Sequence, residues 1–329
     1  MSTTLEPSTP SAPTGSTIRG ASVRAGDRVF RGLSRTSGIL ILVTMAAIAV
    51  FLIVKAIPSL QANTANFFTT QEWTPDAKPA YFGIAALAFG TLMTAAIAML
   101  LAVPVGIGIA LFIAHYASRR LAAGLGFVTD LLAAVPSIIF GMWGIQFLTP
   151  QLQGFDQWLS TYLGFIPLFQ NDLGIYSRSI LNAGIILAIM ILPTISAITR
   201  EVFLQVPRAH IEASLALGAT RWEMVRQAIF PFARPGMISA SMLGLGRALG
   251  ETIAVALMLS AIYTVNWHLT EPGGITFASN IALKWNEAGT IGISALIASG
   301  LVLFVITLAV NMAARLIIAR RSEFSGANS

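Results

Sequence analysis

The stretch PAYFGIAALAFGTLMTAAIAMLLAVPVGIGIALFIAHYAS, residues 79–118, runs for 40 residues without Asp, Glu, Lys or Arg. A helix rises about 1.5 Å per residue and a bilayer core is about 30 Å thick, so about 20 apolar residues cross it. Two crossings and a turn need more residues than this run offers. We therefore expect one long transmembrane helix, residues 82–114, kinked at Pro104 or projecting from the bilayer.

Other uncharged runs extend this interpretation to the whole chain, which is 55% hydrophobic and only 10% charged. Ordinary soluble domains carry about 25% charged residues. The runs predict six spans, at about 37–57, 82–114, 128–149, 179–200, 236–264 and 289–315. The predicted fold class is an all-α, polytopic integral membrane protein.

Basic residues divide unequally between the two faces that six spans define. With the N-terminus inside, fifteen arginines fall on one face, before the first span and after the second, fourth and sixth. The other face has Lys78, Arg178 and Lys284, with Lys55 at the end of the first span. Cytoplasmic loops are enriched in Lys and Arg, so both termini are expected in the cytoplasm. Topology thus explains the net charge of +6, and no nucleic acid partner is expected.

The two ends of the chain differ from the spans in composition. Residues 1–35 are rich in Ser, Thr, Pro and Gly and then in Arg, which predicts a disordered basic cytoplasmic tail. Residues 36–321 form the six-span domain and 322–329 a short C-terminal tail. An uncleaved first span is expected rather than a signal peptide, because the first apolar run starts late and is of spanning length.

Metal and cofactor sites find little support in the composition. The chain has no cysteine, which excludes disulfides and thiolate ligands, and its three histidines are far apart in sequence. We expect no metal site and no cofactor.

Five tryptophans lie in the predicted outer loops or near the outer end of the third span. Their positions favour an interfacial aromatic belt, with a docking surface for an external partner as the alternative. They are Trp73, Trp143, Trp158, Trp267 and Trp285.

The loop VPRAHIEASLALGATRWEMVRQAIFPFARPGM, residues 206–237, follows the fourth span and begins with a short helix. Pro207 suits the first helical position, and Ile211 and Leu215 stack one turn apart. Gly218 supplies the left-handed conformation that commonly stops a helix.

A second helix begins directly after this stop. Thr220 and Glu223 have the spacing of a capping box, and Pro231 is expected to end the helix. Helices this short are marginal alone in water. They are expected to dock either on their own bundle or in a groove of a soluble partner.

The same loop carries a family resemblance. The Glu212-Ala213-Ser214 run, with Gly218 six positions after Glu212 and Pro231 thirteen after Gly218, is similar to the EAA loop of ABC importer permeases. The chain departs from that pattern at three positions, with Ser214 in place of alanine, Ala228 in place of isoleucine and Phe230 in place of leucine. These changes leave the helix, turn and helix intact.

Longer stretches extend the resemblance over most of the chain. Together they resemble the C-type membrane subunits of bacterial phosphate-specific ABC importers. The stretches are GIGIALFIAHYASRR (106–120), LLAAVPSIIFGMWGI (131–145), ILPTISAITREVF (191–203), EASLALGATRWEMV (212–225) and GLGRALGETIAVALM (244–258).

The resemblance implies a type I ABC importer permease in the bacterial inner membrane, moving inorganic phosphate by alternating access. It also implies the partners: a second, A-type permease subunit, two ATP-binding subunits and an extracytoplasmic phosphate-binding protein. The residues implied to couple ATPase motion to the spans are Glu212, Ala213, Ser214, Leu215, Gly218 and Pro231.

ATP hydrolysis must occur on another chain, since a phosphate-cradling loop needs Gly-Lys. Lys55, Lys78 and Lys284 follow Val, Ala and Leu instead. We therefore expect a transport subunit that is not itself an enzyme.

Arg247 and Glu251 lie one helical turn apart inside the fifth apolar run. A central Arg costs about 2.5 to 3.5 kcal/mol on insertion scales, so it is expected to face a bundle interior or watery cavity. One interpretation is a buried ionic lock between these residues. The other, which the resemblance favours, is that both border the substrate path, with Arg247 offering phosphate a bidentate contact. Gly246 and Gly250 form G-x-x-x-G, which predicts close approach of a neighbouring helix.

Two prolines interrupt predicted spans and free backbone carbonyls beside hydroxyl side chains. Pro136 precedes Ser137, and Pro193 precedes Thr194 and Ser196. Helix kinks are the expected role, and contact with substrate stays open.

Other functions stay open at this point. A permease for another oxyanion such as sulfate or molybdate is one alternative, and a secondary carrier or channel is a more distant one. A membrane enzyme is disfavoured because the spans show no paired carboxylates, histidine cluster or activated nucleophile.

Overall fold

The computed structural model of the protein describes residues 25–322. Residues 1–24 of the predicted N-terminal tail and residues 323–329 of the predicted C-terminal tail lie outside the described residues. Within them the chain is mostly helical. The helices are α1 Ala25–Ala62, α2 Ala85–Leu111, α3 Arg119–Ala133, α4 Ser137–Trp143, α5 Thr149–Leu163, α6 Ile180–Leu204, α7 Arg208–Ala216, α8 Arg221–Met224, α9 Phe230–Gly250, α10 Ile253–Met258, α11 Phe277–Lys284 and α12 Thr290–Ser322.

Residues 25–50 form a unit of their own. This unit contains the first part of α1, where apolar side chains such as Val29, Phe30 and Leu42 are about two-thirds exposed. The helix begins at Ala25, so the prediction of a disordered tail up to residue 35 was wrong for 25–35. The arginines in this segment are good helix formers, and no proline interrupts it, so the helix extends back from the apolar run.

Four helices are long and apolar enough to cross a membrane, within residues 29–62, 85–116, 180–204 and 290–316. They correspond to the first, second, fourth and sixth predicted spans. The predicted third span falls on α3 and the α4–α5 segment, which meet at a 92° bend and make at most one further span. Pro136 caps α4 there, and a proline disfavours helical backbone in the residue before it.

The predicted fifth span, 236–264, is also interrupted. Helix α9 ends at Gly250, and Glu251 has extended backbone (φ −67°, ψ 128°) before the short α10. A count of six uninterrupted transmembrane helices is therefore not what the described residues form.

The core of the second unit is the contact between α2 and α6. Helix α2 buries small residues at every fourth position, so they form one continuous stripe along the helix. A Cβ added at Gly106 would lie 3.0 Å from Ile195, and one at Gly184 of α6 would lie 2.6 Å from Ile97. Small residues let transmembrane helices approach closely. The stripe is Ala86, Gly90, Thr94, Ala98, Ala102, Gly106 and Ala110.

Helix α9 approaches α6 through glycines other than those predicted. A Cβ added at Gly236 would lie 2.5 Å from Val202, and one at Gly244 would lie 2.7 Å from Ile195. At Gly246 and Gly250 an added Cβ would meet nothing within 4 Å. No helix of the described residues approaches Gly246 or Gly250, and Gly244 rather than Gly246 is on the face toward α6.

A small layer covers the end of the bundle that the positive-inside pattern puts outside. Strands β1 Trp73–Thr74 and β2 Tyr81–Phe82 pair antiparallel, with Trp73 opposite Phe82. Trp73 is only 9% exposed and stacks on Tyr263 at a centroid distance of 6.3 Å. It is thus a core residue of this layer and not a member of an interfacial belt, whereas the other four tryptophans of the predicted belt are 40–56% exposed.

Candidate functional site

Helix α7 ends at Ala216, and Gly218 just after it provides the left-handed stop that the sequence predicts. The Gly218 N–H donates to the Leu215 carbonyl (3.0 Å), and the Ala219 N–H donates to the Ser214 carbonyl (3.2 Å). Gly218 has φ +85°, which L-residues with a side chain rarely adopt. These two bonds and this dihedral make a Schellman motif, the C-terminal stop that satisfies the last helix carbonyls.

The capping box that starts α8 is present. The Glu223 N–H donates to Thr220 Oγ1 (3.3 Å), and the Thr220 N–H donates to Glu223 Oε2 (2.8 Å). The Thr220 N–H and, less strongly, the Thr220 hydroxyl donate to Glu223 Oε2 and so lower the pKa of this exposed carboxyl.

Pro231 does not end this second helix, contrary to the prediction. The chain continues through a π-helical segment, Val225–Ile229, into α9, and Pro231 falls within the first two residues of α9. In the π segment the Phe230 N–H donates to the Val225 carbonyl, one residue further back than in an α-helix. The wider turn accommodates a proline that has no N–H to donate.

The two sides of this loop differ in burial. Val225 and Ile229 are fully buried, in a cluster with Phe203 at the end of α6. Helix α7 has no buried residue, and Leu217 at its end is 90% exposed. The π-helical segment Val225–Ile229 therefore docks on its own bundle. Helix α7 packs on the same cluster only through the half-buried Ile211 and leaves Leu215 and Leu217 exposed.

Five of the residues predicted to couple lie in α7 or at the stop that follows it, and Pro231 lies at the start of α9. Glu212, Ala213, Leu215, Gly218 and Pro231 are exposed, and Ser214 is half-buried. The Ser214 hydroxyl is buried without a hydrogen-bond partner. It borders a cleft of about 270 Å³ between α7 and the second helix, formed by Ser214, Leu217, Gly218, Ala219, Glu223 and Gln227.

Arg247 lies in the last turn of α9, where the helix dipole favours a cation. Its Nη1 donates to Thr194 Oγ1 of α6 over 3.1 Å. Thr194 follows Pro193, and the sequence had singled it out only as a neighbour of that proline. The contact between α6 and α9 therefore gives Arg247 a polar partner, and no local sequence pattern indicates that this partner is Thr194.

Glu251 is not paired with Arg247. Glu251 Oε1 accepts from the Ala254 N–H (3.2 Å) and so satisfies the start of α10. The ion pairs among residues 25–322 involve other residues. The ionic lock, one of the two interpretations of the i, i+4 spacing, is therefore not formed, because the helix ends one residue before Glu251 and helical spacing no longer applies there. Arg247 and Glu251 are both half-buried.

Two outer loops bring together three residues that the sequence did not link. Asp172, His268 and Glu271 have ligand-type atoms within 4.8 Å of one another. Glu271 is 7% exposed and accepts from the Asp172 N–H (2.8 Å), from the Asn266 amide and, at 3.3 Å, contacts His268 Nδ1. The carboxylate oxygens are thus already engaged, and the cluster holds the two loops together.

Comparison with known proteins establishes the family. The sequence model of the binding-protein-dependent transport system inner membrane component matches residues 102–323. The chain belongs to this family of multi-pass permeases, which work as parts of ABC transporters.

Curated relatives narrow the similarity within that family. The chain is 48% identical over 299 residues to the phosphate transport system permease protein PstC 2 of Mycobacterium tuberculosis strain H37Rv, covering 89% of this chain and 92% of that one. It is 44% identical over 310 residues to the phosphate transport system permease protein PstC of Mycobacterium leprae, covering 93% and 97%. A solved structure of the MetNI methionine ABC transporter aligns at 18% identity with a TM-score of 0.48, covering 72% of this chain and 94% of that one.

Proposed function

We propose that this chain is the C-type permease subunit of an ATP-driven importer of inorganic phosphate and forms half of its translocation path. The similarity to phosphate permeases named PstC, over about nine-tenths of the chain, is the observation that carries this proposal. The complex would contain a second, A-type permease subunit, two ATP-binding subunits and an extracytoplasmic phosphate-binding protein. The chain itself makes and breaks no bonds.

Helix α7 is the proposed contact with an ATP-binding subunit. Its lack of buried residues, the exposed Leu217 and the adjacent cleft support docking into a groove of a soluble partner. The π-helical segment Val225–Ile229 is buried against α6, which supports transmission of ATPase motion from α7 to the spans. That motion would pass through Val225 and Ile229. Glu212 is exposed on α7 and offers the partner a carboxylate.

Arg247 is the proposed phosphate contact in the path. A guanidinium presents a planar fork that matches two phosphate oxygens, and it stays charged at any physiological pH. The single hydrogen bond to the neutral Thr194 orients the fork without neutralising it. Glu251, held by the start of α10, lies close in sequence and is proposed to border the path, where its negative charge discourages a permanently bound anion.

In this proposal Arg247 and Glu251 act separately and do not form an ionic lock with each other. Arg247 has a neutral partner and Glu251 a backbone partner, so neither side chain needs the other for satisfaction. An arginine that is not paired with a carboxylate can exchange its interactions with a passing oxyanion at a smaller cost than a locked one.

The direct test is ATP hydrolysis by the purified complex in membranes together with its binding protein. We expect phosphate to stimulate hydrolysis, and sulfate or molybdate to leave it unchanged. Stimulation by sulfate or molybdate alone would assign the path to another oxyanion. Transport that persists after removal of the ATP-binding subunits would assign the chain to secondary carriers or channels.

A further inference from the structure

An apolar groove runs between α2, α3 and α6. It encloses about 480 Å³, and almost all of its surface is apolar. Gly108 forms an open part of its wall, since an added Cβ there would meet nothing within 4 Å. Residues that line it include Val105, Gly108, Phe112, Leu125, Val128 and Leu192.

A charged cleft of about 540 Å³ lies next to this groove, and both share Ile113. The groove reaches α6 at Leu192 and the cleft reaches it at Arg200, eight residues further on, which corresponds to about 12 Å along a helix. The cleft lies at the helix ends that the positive-inside pattern assigns to the cytoplasm. The two cavities thus adjoin at Ile113, with a polar mouth beside an apolar groove, and we refer to the pair as the path.

Four charged residues meet at this mouth: Arg119, Asp130, Arg200 and Glu201. Arg200 Nη2 lies 2.9 Å from Glu201 and 3.4 Å from Asp130, and the arginine side chain is only 15% exposed. Its guanidinium lies across Gly126 of α3, where an added Cβ would be 2.5 Å from Nη1.

The carboxylates are less covered than the arginine that holds them. Asp130 is 54% and Glu201 59% exposed, so both keep oxygen lone pairs that face outward. Arg119 is exposed and, among residues 25–322, takes part in no ion pair. The mouth thus presents one uncommitted cation beside two partly available anions, and its four charges sum to zero.

We propose that this path binds a phospholipid of the cytoplasmic leaflet with an amine-bearing zwitterionic headgroup, of the phosphatidylethanolamine type. One acyl chain fills the apolar groove. The lipid phosphate accepts hydrogen bonds from the Arg119 guanidinium. The primary ammonium donates to the outward oxygens of Asp130 and Glu201.

The charge pattern selects this headgroup over others. An anionic headgroup such as phosphatidylglycerol would meet the two carboxylates without a cation of its own to offset them. A choline headgroup has a cation but no N–H to donate. A helix of a second subunit could cover the apolar groove, but it would also have to supply partners for four charges of both signs.

Two pairs of matched variants test the two halves of the site. Arg119→Gln removes the proposed phosphate donor, and Arg120→Gln removes the adjacent arginine, which does not line the cleft. Gly108→Phe fills the groove, and Gly124→Phe adds the same ring to α3 at a position that is also open and lines neither cavity. Gly108→Leu is the substitute if the phenylalanine variant does not fold.

Native mass spectrometry of the purified full-length chain, titrated with dioleoyl phosphatidylethanolamine, phosphatidylcholine or phosphatidylglycerol, measures retention. We expect phosphatidylethanolamine to bind at least tenfold more tightly than the other two, and Arg119→Gln and Gly108→Phe each to weaken it about tenfold. The Arg120 and Gly124 variants should bind like the wild type.

Several results would overturn the proposal. They are equal or tighter binding of phosphatidylglycerol or phosphatidylcholine, equal effects within either pair of variants, and loss of bound phosphatidylethanolamine when the chain assembles with a second permease subunit.

Discussion

Gly218 offers the sharpest test of the coupling role of α7, because a substitution there acts through the backbone alone. An added Cβ would meet nothing within 4 Å, yet the residue has φ +85°. Left-handed backbone costs a residue with a Cβ about 1–2 kcal/mol. At about 1.4 kcal/mol per tenfold change, Gly218→Ala should shift the loop about 5- to 30-fold toward conformations without the Schellman stop. A β-branched side chain is worse still, so Gly218→Val should exceed this range.

The assay is the ratio of phosphate imported to ATP hydrolysed in proteoliposomes that hold the whole complex and its binding protein. We expect this ratio to fall in the order wild type, Gly218→Asn, Gly218→Ala and Gly218→Val, since asparagine tolerates left-handed backbone best among residues with a side chain. Gly124→Ala is the matched control, because that helical glycine is open and lacks a positive φ. A Gly218→Val complex that couples as tightly as the wild type would refute the reasoning.

Three further predictions concern neighbouring parts of the chain. Thr194→Val should lower phosphate uptake about tenfold, because it removes the hydrogen bond that orients the Arg247 guanidinium. Thr194→Ser retains the hydroxyl and should retain uptake, and equal uptake by the two variants would contradict this. Gly244→Leu should lower stability by about 1–3 kcal/mol, seen as a lower midpoint in thermal unfolding, because its side chain must displace an α6 isoleucine; Gly246→Leu should be neutral, and the reverse order would be inconsistent with the structure. The pKa of Glu223 is lower in the folded than in the unfolded protein, so this cap stabilises the start of α8 at neutral pH and the stabilisation is lost as pH falls through the folded pKa. Amide exchange at the start of α8 should show this loss, and Glu223→Gln should remove the pH dependence.

The spans could be predicted where one apolar run forms one helix. The predicted second, fourth and sixth spans overlap α2, α6 and α12, with ends that differ by a few residues. Short-range sequence patterns also predicted the structure of the loop at residues 206–237. The capping box at Thr220 and the stop at Gly218 depend on residues within a few positions, and both are present.

The interruptions could not be predicted, because hydropathy does not register backbone direction. The run that contains Glu251 is apolar on both sides of the break between α9 and α10, so composition indicates one long helix. Pro231 shows the converse error. A proline usually marks a helix end, but the π-helical turn before it lets the helix continue.

Contacts between segments far apart in sequence could not be predicted either. The Arg247 bond to Thr194 spans 53 residues, and the Glu271 bond to Asp172 spans 99. Each joins residues from different elements whose approach is fixed by helix contacts and loop geometry. A single sequence carries no local signal for such pairs.

The central claim is that this chain supplies a gated path while a separate ATPase supplies the energy. The most direct measurement is accumulation of radiolabelled phosphate in sealed proteoliposomes that contain the permease subunits and binding protein, with and without the ATP-binding subunits and ATP. The account predicts uphill accumulation only when both ATPase and ATP are present. Uphill accumulation by the permease subunits without nucleotide would contradict it.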